Sequence, residues 1–214
     1  MVVKAASSGM KGADIDSVLS LAQATALKEA GIDFILRYAP RQLDNYLYNA
    51  TNPEMLRILQ AEIAFGIVQH VSPDGWQPTA ELGKSYGEYC AQYCLKTVQL
   101  PKGVGVWLDL EMVKLGTPIA DVISYATEWW NAVNAAGYVP GLYVGYQPIL
   151  NAQELYSNLP FKAYWKAYNY DDGVATRGFC MVQHPQQTIA GMQVDPDTVE
   201  ADNFGGLPMF LYNS

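Results

Sequence analysis

The segment Val106-Trp107-Leu108-Asp109-Leu110-Glu111 sets two carboxylates two residues apart within an apolar run. In an extended strand alternate side chains share a face. Val106, Leu108 and Leu110 therefore point one way, and Trp107, Asp109 and Glu111 the other. Two like charges about 6–7 Å apart on one pleat face repel. One of the two is expected to keep its proton above the usual carboxylate range, the state a general acid needs. Such a pair suits glycoside hydrolysis, in which one acid protonates the leaving oxygen and the other stabilises an oxocarbenium-like centre. The same acids could hold Ca²⁺ or Mg²⁺, or sit in a structural network with Arg or Lys partners. Spacing alone leaves all three open.

Further acids fall at the two ends of the chain. Asp14 and Asp16 share one face of Gly12-Ala13-Asp14-Ile15-Asp16, and Asp195 and Asp197 flank Pro196. For Asp16 and Asp197 a turn or helix-cap role weighs at least as much as a functional one. Arg37 is the cation expected nearest these acids. Tyr38, Tyr143, Trp165, Tyr168 and Tyr170 lie at or near the ends of predicted strands, with Trp76 just after one. Flat aromatic groups match the apolar faces of sugar rings, and tyrosine hydroxyls reach their polar edges. Trp107, Trp129 and Trp130 read as core. His70 and His184 have no third nitrogen or thiolate ligand nearby, so they read as hydrogen-bonding groups at a rim rather than metal ligands.

The elements that must position these residues alternate along the first two thirds of the sequence. Short apolar runs at 12–16, 34–39, 65–71, 105–111 and 139–145 read as strands. Amphipathic stretches at 17–30, 52–64, 79–98, 119–136 and 151–159 read as helices. That order argues for parallel strands joined by helical crossovers. The last third reads as strands at 163–168, 178–184 and 191–195, and the connections between them are too short for a helical crossover. A full (β/α)8 barrel takes about 250 residues, whereas this chain has 214. The expected architecture is an α/β, TIM-like flattened barrel, about five βα units followed by three strands lacking helices. A doubly wound open sheet is the alternative, but the Gly-rich phosphate loop that usually accompanies it is absent. Residues 1–11 are expected to be a tail and 12–214 a single domain.

In a barrel, active sites gather at the C-terminal ends of the strands. Asp109 and Glu111 would then lie at that mouth. Because first and last strands of a closed ring are neighbours, Asp14 and Asp195 would lie beside each other at the rim.

Composition narrows the functional classes. The formal charge is −8, with Lys+Arg 13 against Asp+Glu 21, so a phosphate backbone repels the chain and nucleic-acid binding is not expected. No apolar run approaches the roughly 18 residues of a membrane span. The first nine residues hold no stretch apolar enough for a signal peptide. Cys90 and Cys94 are one helical turn apart, a spacing poor for a disulfide, and Cys180 stands alone. Neither a nucleophile elbow, a P-loop nor a dinucleotide fingerprint occurs. No cofactor is expected.

Taken in order, these pieces resemble the family-25 lysozymes, which are muramidases. They resemble more closely the bacterial glycoside-hydrolase-like domains of unknown function related to them. Asp14 matches the acid ending that family's first strand, and Asp109 and Glu111 its Asp-x-Glu pair. Gly141-Leu142-Tyr143 resembles its Gly-x-Tyr strand, and Trp165-Lys166-Ala167-Tyr168 its Trp-x-Ala-x-Tyr strand, with Tyr168 one position early or Tyr170 one late. Gln183 matches its glutamine on strand seven, and Asp195 the acid of its last strand.

The resemblance implies a flattened barrel and a glycosidase acting on peptidoglycan or another amino-sugar polymer. Glu111 would be the general acid. Asp109 would orient a water or the substrate's N-acetyl group, with Asp14 and Asp195 in support. Arg37, Tyr38, Tyr143, Trp165, Tyr168 and Gln183 would contact substrate. A sugar-binding barrel that does not turn over, and a metal-dependent hydrolase, are the alternative readings. With no leader in view, a wall-acting protein would reach its substrate outside the cytoplasm by a phage or secretion-apparatus partner.

Overall fold

The computed structural model describes residues 1–42 and 48–214. Five helices and eleven strands follow in order: β1 (Val2–Ala5), β2 (Lys11–Ile15), α1 (Leu21–Glu29), β3 (Phe34–Ala39), α2 (Asn52–Gln60), β4 (Ala64–Gln69), α3 (Ala80–Tyr93), β5 (Gly105–Leu110), α4 (Ile119–Ala135), β6 (Val139–Val144), α5 (Ala152–Asn158), β7 (Tyr164–Lys166), β8 (Met181–Gln183), β9 (Gln187–Ile189), β10 (Met192–Val199) and β11 (Met209–Tyr212).

Local chemistry starts and stops the helices. Ser20 and Gln23 form a reciprocal capping box at α1, as Asn151 and Glu154 do at α5. Pro53 sits in the first turn of α2, where its missing N–H costs nothing. A π-helical turn over Cys94–Val98 extends α3 and stops at Gln99, which is left-handed with φ 56°. Helices α3 and α4 meet through Gly83 and Gly87, one turn apart. A Cβ at Gly83 would strike the carbonyl oxygen of Tyr125, so the absence of side chains there permits the close approach.

Eight strands close a ring in the order β2-β3-β4-β5-β6-β7-β8-β10, with β10 returning to β2. Neighbours from β2 to β8 are parallel, and β10 is antiparallel to both β8 and β2. The eight residues between β8 and β10 cannot carry a parallel crossover, so the chain turns back instead. Strand β9 pairs with the upper part of β10 outside the ring. The TIM-like barrel with a helix-poor final third is thus the observed fold.

The N-terminal residues differ from the expected tail. Strand β1 pairs antiparallel with β11, and β11 meets β4 at Leu211–Phe65. These short segments acquire hydrogen-bond partners only from the far end of the chain. Inside the ring, Phe34 and Phe210 stack at 4.7 Å near the strand starts. Outside it, the alternate side chains Val106, Leu108 and Leu110 are buried in the same core as Val122, Ala126 and Trp129 of α4. No helix among the described residues is long and apolar enough to cross a membrane.

Candidate active site

Residues of β3 to β8 and β10, with the loops that follow them, define a cleft of about 330 Å³. Asp109, Glu111, Tyr38, Tyr143, Trp165, Tyr168, Gln183 and Asp195 all line it. Strand parity accounts for this gathering. Asp109 stands beside Tyr143 in the β5–β6 register, and Tyr143 beside Trp165 in β6–β7. Asp14 stands opposite Asp195 in the antiparallel β2–β10 pair. The two ends of the sequence thereby meet at one rim.

Asp109 is 8% exposed, and its Oδ1 has no hydrogen-bond partner. Burial holds its carboxyl well above the usual range, Glu111 and Asp14 add repulsion, and the charge of Arg41 partly opposes them. Burial also raises Glu111, while the backbone N–H of Tyr146 donates to its carboxylate and pulls the other way. Glu111 is fixed from two further sides. The indole N–H of Trp76 donates to its backbone carbonyl at 2.9 Å. Gly145 lies so close that a Cβ there would overlap the Glu111 carboxylate. The next residue, Met112, is left-handed at φ 54° and lines the cleft.

Below this pair runs a hydrogen-bonded chain. Tyr38 OH donates to Asp14 Oδ1 at 2.6 Å, Gln183 Nε2 donates to Asp14 Oδ2 at 2.8 Å, and Tyr143 OH donates to Gln183 Oε1 at 2.9 Å. Burial pushes Asp14 up to about 7 against these two donors, with Asp195 adding repulsion. Asp195 itself is raised by partial burial and by Asp16, although Gln186 donates to it.

Asp197 was expected to serve a turn or cap as readily as a site. It lies buried within β10, accepting from Trp165 Nε1 at 2.9 Å, and its Oδ2 has no partner. Burial and Asp14 hold it well above the ordinary carboxylate range. The signal was available: Asp195 and Asp197 share a strand face.

Arg37 is the correction among the expected site residues. It is fully buried on the opposite side of β3 from Tyr38, in an ion pair with Glu54 at 2.7 Å. Its remaining donors go to the carbonyls of Ile15 and Tyr48. It lines neither cavity at this end of the barrel. Neighbours on a strand face opposite ways, so Arg37 and Tyr38 cannot both serve the cleft. Tyr170 is also buried away from it, and Trp107 packs edge-on to Trp165. Sequence reasoning missed Tyr146, Met112 and Asn169 as lining residues, because they come from irregular loop backbone.

His70 stacks on Tyr38 and bonds Asn49, and His184 bonds Thr198, so both are rim hydrogen-bonding groups. Among the described residues no group of three His, Cys, Asp or Glu side chains is arranged to hold a metal ion. All three cysteines are buried and free.

A mixed, mostly parallel barrel with an acid pair at its mouth defines a glycoside-hydrolase-like class of protein. The chain belongs to the Rv2525c-like, glycoside hydrolase-like domain family, whose model matches residues 25–203. No curated protein sequence matches it. Among solved structures it is similar to the Mycobacterium tuberculosis Tat-secreted protein Rv2525c in complex with L-tartrate. That match has a TM-score of 0.67 and 13% identity, covering 93% of this chain and 98% of that one. It is similar to a family 25 glycosyl hydrolase from Bacillus anthracis, with a TM-score of 0.60 and 13% identity over 92% and 91% of the two chains. A bacterial lysozyme from Streptomyces coelicolor gives 0.57 and 13%, over 93% and 95%. At these identities the likeness is one of fold.

Proposed function

We propose that the chain is an O-glycosyl hydrolase of lysozyme (muramidase) type, cleaving β-1,4 bonds in peptidoglycan or another amino-sugar polymer. The observation that carries this reading is the placing of Asp109 and Glu111 together in one cleft at the barrel mouth, walled by Tyr143, Trp165 and Tyr168. Glu111, raised by burial yet open to the cleft, keeps a proton for the leaving glycosidic oxygen. Asp109, which lines the cleft and keeps a small exposed edge, orients a water or the N-acetyl group. Asp14 and Asp195 support the pair by charge, and Tyr38, Tyr143 and Gln183 hold Asp14 in place. Tyr168, 56% exposed, offers its ring to a sugar face at the entrance.

The metal-dependent alternative is less well supported, because both oxygens of Asp14 already accept hydrogen bonds that a cation would have to displace. The protein acts outside the cytoplasm on this reading, delivered by a phage or secretion-apparatus partner.

The test is incubation of the protein and its Glu111→Gln variant with peptidoglycan and, separately, chitin oligomers. New reducing ends are counted and products weighed by mass spectrometry. The wild type should release fragments ending in N-acetylmuramic acid, and the variant should release about 10²–10⁴-fold less while still binding. Binding by both without release by either would replace the hydrolase with a recognition barrel. Loss of release with a chelator would favour the metal reading.

A further inference from the structure

The cleft continues past Asp195. A second cavity of about 480 Å³ opens beyond Tyr38 and Asp195, which line both spaces. Three segments build it: the end of β2, the first turn of α1, and the β9–β10 hairpin that projects from the ring. Asp14 is buried in its floor, with Asp16, Gln23, Gln186 and Gln193 around it and Leu19 and Val194 supplying apolar surface. The dimensions suit one sugar unit, and the shared residues make the two cavities successive stations along a single chain.

The charge of this tract is one-sided. Among the described residues no Lys or Arg lines either cavity. Arg37 is consumed by Glu54, and Arg41 donates to the Val71 carbonyl. The sequence between them and α2, Leu43-Asp44-Asn45-Tyr46-Leu47, contains no Lys or Arg. A carboxylate-bearing sugar in the second cavity would face Asp14, Asp16 and Asp195 without a counter-cation, which penalises it. A sugar with an ammonium group meets Asp16 and Asp195 as partners, and the glutamine carbonyls accept its remaining donors.

We propose, resting on the glycan reading above, that the second cavity seats the neighbouring sugar of the polymer and selects a unit with a free amine. Its ligand is a de-N-acetylated glucosamine unit, in preference to N-acetylglucosamine or a lactyl-bearing muramic unit.

The test is isothermal titration of the Glu111→Gln protein with a glucosamine hexamer, an N-acetylglucosamine hexamer and a muramic-acid-containing oligomer, at about 0.15 M salt to screen distant charges. The glucosamine hexamer should bind about tenfold more tightly than the N-acetylated one, the scale of partly exposed ion pairs. Adding Asp16→Asn should cut that preference to about threefold. Adding Glu62→Gln, an exposed acid at the opposite end of the barrel, changes net charge equally and should leave it intact.

Equal loss in the Asp16 and Glu62 variants would reduce the preference to general attraction and overturn the proposal. So would equal binding of the two hexamers, or tighter binding of the muramic oligomer, while the glycan reading would survive either result. Binding of none of the three would remove the glycan reading itself.

Discussion

Gln183 Nε2 lies 2.8 Å from Asp14 Oδ2, although 169 residues separate the two in sequence. The amide is oriented by both its ends: its oxygen takes the Tyr143 hydroxyl, so its nitrogen must face Asp14. This bond ties the first strand of the ring to the seventh across the interior of the barrel. It also supplies one of the two donors that restrain Asp14 from rising further.

Replacing that amide by a carboxyl tests the restraint. Gln183→Glu keeps shape but sets a second acid against Asp14. At pH 5 a protonated Glu can still donate, so the loss of melting temperature should be small. At pH 8 the variant should lose about 2 kcal/mol or more, roughly 4–8 °C. A thermal melt at the two pH values decides it.

Gly145→Ala should displace Glu111, because the added methyl overlaps its carboxylate. Gly145 has no left-handed backbone, so the effect is steric. Glycan release should fall about 10²-fold, as expected for misplacement of a reacting group by about 1 Å. Gly173→Ala, whose Cβ would enter open space, serves as the control and should leave release unchanged. Parallel assays of the two variants make the comparison.

The buried acids set a pH dependence of stability. A carboxyl whose folded pKa is raised contributes stability that is present below its unfolded value and lost as pH rises through the folded one. For Asp14 that loss runs from about pH 4 to about 7. Asp197, also raised by burial and by Asp14, adds to it. Asp197→Asn retains the acceptor for Trp165 and removes the like charge. Its melting temperature should match the wild type at pH 5 and exceed it by on the order of 5 °C at pH 9.

Arg37→Met should leave Glu54 buried without its cation, at a cost of about 3–5 kcal/mol and on the order of 10 °C in melting temperature. The double variant with Glu54→Leu should recover most of that loss. Glycan affinity, measured by titration at 20 °C, should not change in either. A selective loss of affinity would return Arg37 to the cleft.

Period-two patterning carried most of what was legible in the sequence. Asp109 and Glu111 needed only the parity of β5 to share an interior face, and the short connections after residue 160 exposed the helix-poor end. The same parity separates Arg37 from Tyr38, and assigning both to the groove ignored it. Asp197 was obscured by Pro196, which reads locally as a turn. Barrel closure overrides that preference by pairing Pro196 with Ala13. Strands β1 and β11 were not legible, because each is four residues long and its partner lies at the other end of the chain. The second cavity was hidden for a related reason, since its wall depends on the β9–β10 hairpin standing clear of the ring.

The pairing of β1 with β11 has a mechanical consequence. Met1 and Ser214 lie within hydrogen-bond distance, and residues 212–214 border the start of β4, at the opposite end of the barrel from the cleft. Both ends of these 214 residues therefore leave from one spot on the barrel's base. A tether attached there, through either end, would act as a stalk under a cup. It would hold the barrel at a fixed point while the mouth faced outward, so cargo or anchor on that stalk would not compete with a polymer lying across the opening.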